Sequence, residues 1–154
     1  GAHETPDTLT TVYEFDGYSM IWERAQSISN GNYGRDHGIS FIGNNGTLVL
    51  ARGGWEVIPD EKRMEAIPLQ KPTVPGIDLH TQNFIDCVKS RKHSDLTCPI
   101  QDGSYVATVC QMGNISYKTG GRIHWDEAKG RFTENEANAY IAARYQNGYQ
   151  VPKA

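Results

Sequence analysis

Residues 80–92, HTQNFIDCVKSRK, and residues 103–127, GSYVATVCQMGNISYKTGGRIHWDE, place two helices and a short strand in the second half of the chain. In the first segment Phe84, Ile85 and Val88 fall on one helical face. Asp78, just before it, is a residue type that caps a helix N-terminus. In the second segment Val106, Val109, Cys110, Gly113 and Tyr117 line up at helical spacing, with Asp102 as the cap. Gly120-Gly121 ends that helix. A glycine inside a helix costs about 1 kcal/mol, so Gly113 predicts a close approach of this helix to a sheet. RIHW, 122–125, then reads as a strand. Thr133 with Glu136 forms the pattern of a capping box, predicting a third helix through about Arg144.

Upstream the periodicity changes from helical to alternating. The first ~60 residues read as antiparallel sheet. In TLTTVYEF, Leu9, Thr11, Tyr13 and Phe15 share one face, and Asp16-Gly17 is a two-residue hairpin signal. In YSMIWERA, Tyr18, Met20, Trp22 and Arg24 alternate with Ser19, Ile21, Glu23 and Ala25. After the polar loop SISNGNYGRDHG, GISFIG meets GTLVLAR across Asn44-Asn45-Gly46, and Gly53-Gly54 turns into WEVIP. Residues 60–77 hold Pro68, Pro72, Pro75 and Gly76 and read as a loop. The start, GAHETPDT, and the tail, YQNGYQVPKA, read as loop and surface arm. Strands first and helices after predict an α+β fold: an open antiparallel sheet with helices packed on one face. The opposite face, bearing aromatics, is then a binding or self-association surface.

A chain of 154 residues is one domain by length. It is large enough to bury about 70% of the surface of its unfolded chain, so it needs no disulfide or metal staple. Hydrophobic content of 38% and charged content of 21% mark a globular protein rather than a disordered one. A net charge of −3 argues against a nucleic-acid surface, and the cluster Lys89, Arg91 and Lys92 complements a helix C-terminus. No apolar run is long enough to span a membrane, and no signal peptide is visible within these residues. Cys87, Cys98 and Cys110 lack CxxC spacing. Cys87 and Cys110 fall near apolar helix faces, as buried thiols do.

Three patterns in this order, GNNGTLVLARGGWEVIP, HTQNFIDCVKSRK and VATVCQMGNISYKTGGRIHWD, resemble the C-terminal half of Gfo/Idh/MocA-type oxidoreductases. With the strands before them they cover nearly the whole chain. The resemblance implies residues 1–154 as a single C-terminal substrate and oligomerisation domain. It implies a parent protein that moves hydride between NAD(P) and a sugar, polyol or glycoside. The implied partners are the small-molecule sugar, the protein's own N-terminal Rossmann domain and further copies of the chain, joined through the sheet. Nucleic acid and membrane are not expected, and the compartment is not encoded in these residues. The family's catalytic Lys comes from an E-K-P motif, and its catalytic Asp or His precedes the sheet. Glu61-Lys62-Arg63 and Lys71-Pro72 do not match that motif, and no G-x-G-x-x-G opens a helix. No catalytic residue is therefore carried over, no metal is expected, and the chain alone is expected to hold no cofactor.

The candidate substrate-binding residues lie in the loop between the second and third strands. Asn32, Tyr33, Arg35 and His37 suit sugar hydroxyls, and Trp22 and Arg24 on one strand face extend that surface. The competing reading is a solvated loop beside an aromatic interface patch. His80 with Asn83 reads better as a hydrogen-bonding pair that fixes a helix start than as an acid/base. Trp55 and Trp125 read as packing residues. His37, His93 and His124 lack metal-ligand spacing. Asp60-Glu61 and Glu134/Glu136 read as surface loop and helix start. The sequons at Asn45 and Asn114 are explained by a turn and a helix. Two rival functions remain: a stand-alone carbohydrate-binding or dimerisation module, and a hydrolase using His80.

Overall fold

The computed structural model describes residues 6–74, 76–142, 145 and 147–149. Among these residues it is α+β, with open antiparallel sheets and three α-helices. The chain forms two compact units, Gly1–Thr97 and Cys98–Ala154.

In the first unit, β1 (Thr8–Phe15) and β2 (Tyr18–Ala25) make a two-stranded hairpin. Its turn is Asp16-Gly17, and Gly17 takes the positive φ of 85° that a tight turn demands. The register sets Leu9, Thr11, Tyr13 and Phe15 opposite Arg24, Trp22, Met20 and Tyr18. These eight residues therefore share a face, as the alternation predicts. Phe15 and Tyr18 stack at its turn end, with ring centroids 4.8 Å apart.

Four further strands form a second sheet in the order β3 (Ile39–Ile42), β4 (Gly46–Ala51), β5 (Gly54–Pro59) and β6 (Ile67–Gln70). Ile39, Leu50, Trp55 and Gln70 line up across it, and Phe41, Leu48, Val57 and Ile67 form the next row. Cross-strand partners point to the same side, so this face is almost wholly apolar. The other face carries Ser40, Val49 and Glu56 in one row and Ile42, Thr47 and Ile58 in the next, with Ile42 77% exposed at the edge. Val49 is only 2% exposed, whereas Phe41 on the first face is 57% exposed.

The predicted loop 60–77 is corrected in two places. It contains β6, and it yields to α1 (Gly76–Ser90) one residue before its predicted end. Pro68 marks an irregular stretch, but an edge strand tolerates a residue without an N–H. A register shift between Ile67 and Gln70 absorbs it as a bulge. Because α1 starts at Gly76, Asp78 lies in its first turn and complements the dipole there instead of capping. The stripe Phe84, Ile85 and Val88 is exposed, and Cys87 is the buried residue of this helix. Arg91, at φ 59°, closes the helix by donating its N–H to Cys87 O at 2.9 Å. Asn83 then ties the following loop to the helix. Its Nδ2 donates to Asp95 O (2.8 Å), and its Oδ1 accepts from Thr97 N (3.1 Å) and Thr97 Oγ1 (3.2 Å). Asn83 thus fixes a loop beyond the helix end rather than the helix start. His80 is exposed, with no side-chain hydrogen bond among the described residues.

In the second unit, α2 (Ile100–Thr119) begins after Pro99, so Asp102 again sits in the first turn instead of at the cap. Gly120, at φ 72°, ends it by donating to Ser116 O and Tyr117 O. The strand expected at 122–125 is displaced to β7 (Trp125–Asp126), which pairs with an unpredicted β8 (Arg131–Phe132). Ile115, Phe132 and Ala137 form the buried core, with Met112, Ile123 and Trp125 packed on it. The buried side of α2 thus runs through Gly113 and Ile115, whereas Val106, Cys110 and Tyr117 of the predicted stripe are exposed. Cys98 is exposed as well.

The third helix, α3, is a single turn, Asn135–Asn138, where a helix through residue 144 was predicted. Residue 144 itself, residues 1–5 and most of the tail lie outside the described residues. The predicted capping box does not form. Thr133 Oγ1 donates to Glu134 Oε1 (3.0 Å) instead of reaching helix N–H groups. The Glu134 carboxylate also binds the His124 ring Nδ1 (2.7 Å) and backbone N–H (2.8 Å). The His124 ring first, then its N–H, hold the Glu134 carboxyl down at about 2. Asn138 locks β8 by accepting from Phe132 N (2.9 Å) and donating to Phe132 O (2.8 Å).

Candidate functional site

The loop between β2 and β3 is polar, yet it is tightly built. A short 3-10 turn at Asn32–Gly34 is closed by Gly31 N to Arg35 O (2.9 Å), Gly34 N to Gly31 O (3.2 Å) and Arg35 N to Asn32 O (3.2 Å). A Cβ on Gly31 would meet Arg35 O at 2.8 Å, so the turn requires glycine there. Gly38 passes equally close to β4, with Leu50 O 2.6 Å from an added Cβ.

Two carboxylates on the strands anchor this loop. Asn32 Nδ2 donates to Glu23 Oε2 on β2 (2.7 Å). Arg35 forms an ion pair with Glu56 on β5, both side chains being largely shielded. Glu56 lies on the same sheet face as buried Val49, so the pair also fixes where the loop crosses that sheet. Tyr33, between these anchors, adopts φ 58° and is 44% exposed. A left-handed conformation costs a non-glycine residue about 1–2 kcal/mol. Such a residue persists only where its surroundings impose it. His37 pairs with its neighbour Asp36 at 2.7 Å, and both are exposed.

The structure therefore gathers Asn32, Tyr33, Arg35 and His37 on one braced loop. Trp22 and Arg24 share a β2 face with each other, while Glu23, which holds Asn32, alternates to the opposite one. Among the described residues, no hydrogen bond or ion pair links Trp22 or Arg24 to the loop. Glu23 and Glu56, the two anchors, were not singled out from sequence. The available signal was a lone carboxylate set between apolar residues in WEVIP. Trp55, read as a packing residue, is 38% exposed, while Trp125 packs edge-on against Phe132 (5.0 Å) as expected.

Chemically the loop offers hydroxyl, amide and imidazole groups that can hydrogen-bond a polyhydroxylated ligand. It does not offer the features that hold a dinucleotide. Pyrophosphate binding uses a glycine-rich turn from a parallel strand into a helix N-terminus. Here every described strand pair is antiparallel, and α2 begins at Ile100, after Pro99, without a side-chain cap. No glycine-rich turn among the described residues leads from a parallel strand into a helix. Among the described residues no three His, Cys, Asp or Glu side chains group as a metal site, and no helix is long and apolar enough to cross a membrane.

The described residues thus combine open antiparallel sheets with a braced polar loop. Residues 18–151 match the family model of the C-terminal alpha/beta domain of the Gfo/Idh/MocA oxidoreductases. The chain belongs to that family, whose members are NAD(P)-dependent oxidoreductases. In that family this domain is normally paired with a Rossmann domain. No curated protein and no solved structure shows a significant match to the chain.

Proposed function

We propose that residues 1–154 act as one substrate-side and self-association domain of an NAD(P)-dependent sugar, polyol or glycoside oxidoreductase. Hydride transfer belongs to the partner Rossmann domain, and the chain alone is inactive. The observation that carries this reading is the loop held by Asn32–Glu23 and Arg35–Glu56, which presents strained Tyr33 to solvent. Strain of this kind collects at binding sites, where rigidity orients a ligand. Trp22, Arg24 and His37 would complete the sugar contacts. The apolar face around Phe41 and Leu48 would pair with a second copy, because an exposed contiguous apolar face favours association.

The test is steady-state kinetics of this chain joined to its Rossmann domain. Tyr33→Ala and Asn32→Ala should raise KM for the sugar by about tenfold, the loss of one good hydrogen bond, with KM for NAD(P) unchanged. Unaltered sugar KM in both variants would sink the loop assignment. Tight NAD(P) binding by the chain on its own would sink the division of labour.

A further inference from the structure

A cleft opens at the β4–β5 turn, with a volume of about 400 Å³. Arg52, Trp55, Gln70, Lys71 and Thr73 are among its lining residues. It contains none of the residues of the Asn32–His37 loop. Its shape depends on Gly54. A Cβ there would lie 2.1 Å from Gln70 O, and φ is +129°, so glycine alone lets the end of β6 close over the turn. That approach sets Lys71, immediately after β6, in the same cleft as Arg52 from the turn.

The electrostatics of this cleft are one-sided. Arg52 and Lys71 are both exposed, and neither has an ion-pair partner among the described residues. No acidic side chain among the described residues lines the cleft. Two like charges brought into one concavity are relieved by an anion. Trp55, which also lines the cleft, shows 38% of its surface, a flat apolar platform of the kind that takes the carbon face of a ring. Gln70 Nε2 is occupied by Pro68 O (2.7 Å), which fixes the amide and leaves its oxygen to accept from a ligand hydroxyl. Thr73 adds a hydroxyl.

We propose that this cleft binds an acidic saccharide, with the sugar ring on Trp55 and its carboxylate between Arg52 and Lys71. This goes beyond the reading of the Asn32–His37 loop and survives or fails independently of it.

The experiment titrates the full chain with D-glucuronate, D-glucose and inorganic phosphate, followed by the Trp55 indole N–H resonance. The Arg52→Gln/Lys71→Gln double variant, which alters only exposed side chains, is titrated in parallel, with its fold checked by circular dichroism. Saturable glucuronate binding that shifts the Trp55 signal is expected, weakened about tenfold or more in the double variant and weakened by added salt. Glucose should bind far more weakly. Equal binding of glucose and glucuronate overturns the proposal. So does phosphate binding as tightly as glucuronate, or unchanged affinity in the folded double variant.

Discussion

Phe132 and Phe41 are the same residue on short strands, and they meet opposite fates. Phe132, in the unit Cys98–Ala154, is 3% exposed and packs with Ile115 and Ala137. Phe41, on the edge strand of the four-stranded sheet of Gly1–Thr97, is 57% exposed at the end of an apolar row. Full burial of a Phe side chain is worth roughly 1.5–3 kcal/mol. The small unit realises that stabilisation internally, through a helix, a hairpin of two-residue strands and one helical turn. The sheet leaves most of it unrealised on one face. A region that closes its own core carries stability, and a region that leaves an apolar face open carries a driving force for association.

The sharpest way to break this comparison is to truncate both rings. Phe132→Ala should cost about 3–5 kcal/mol, the cost of a core cavity, seen as a lower midpoint in urea unfolding. Phe41→Ser should change the stability of the monomer within about 0.5 kcal/mol, as surface substitutions do. In sedimentation equilibrium it should raise the monomer fraction at low micromolar concentration. Equal loss of stability in the two variants would mean that the sheet face is core after all. An unchanged oligomer distribution in Phe41→Ser would remove the self-association surface.

Between these extremes lies Gly54→Ala. The added Cβ meets Gln70 O at 2.1 Å in a backbone conformation that alanine resists. The expected loss is about 2–3 kcal/mol, accompanied by faster amide exchange along β6. Normal exchange protection in β6 would show that the edge strand does not depend on that close approach.

Asn83 sharpens the comparison on the helical side of Gly1–Thr97. Its three hydrogen bonds bind the loop after α1 to the helix itself. Asn83→Ala should cost about 1–2 kcal/mol and free residues 92–97, detectable as new proteolytic cleavage there. A variant as protease-resistant as the parent would show that the loop holds without this clamp.

Which of these features could be read in advance follows from how local they are. Strands β1 to β5 were legible because alternation and glycine turns act between sequence neighbours. Strand β6 was not, because Pro68 signals a loop and the pairing with β5 that overrides it is a tertiary fact. The spacing of Phe84, Ile85 and Val88 was read correctly, but spacing says nothing of what covers a face, and this one is exposed. The polar loop holding Asn32, Tyr33, Arg35 and His37 was visible as a cluster. Its anchors were not, since Glu23 and Glu56 acquire their roles only when the loop folds back on the strands. Thr133-x-x-Glu136 failed as a capping box for a related reason. The intervening Glu134 is captured by His124, ten residues earlier, and takes the Thr133 hydroxyl with it.

That capture gives the small unit a pH signature, and it is the subtlest of the tests. The Glu134 carboxyl titrates at about 2 in the folded protein, against an ordinary value of 4.5, chiefly because the His124 ring and then the His124 N–H bind its ionised form. A depressed value means that folding favours the carboxylate. The contribution is therefore fully present above about 4.5 and disappears as the pH falls through about 2, because in that window the unfolded chain takes up a proton that the folded one refuses. Glu134→Gln cannot make this exchange. Its unfolding midpoint should fall less steeply than the parent's between pH 4.5 and 2, with only a small difference between the two at neutral pH, because the pair is partly exposed to solvent. Parallel pH profiles for the two proteins across that window would show that the His124–Glu134 contact does not favour the folded state. The closure of β8 onto the helix would then rest on Phe132 and Asn138 alone.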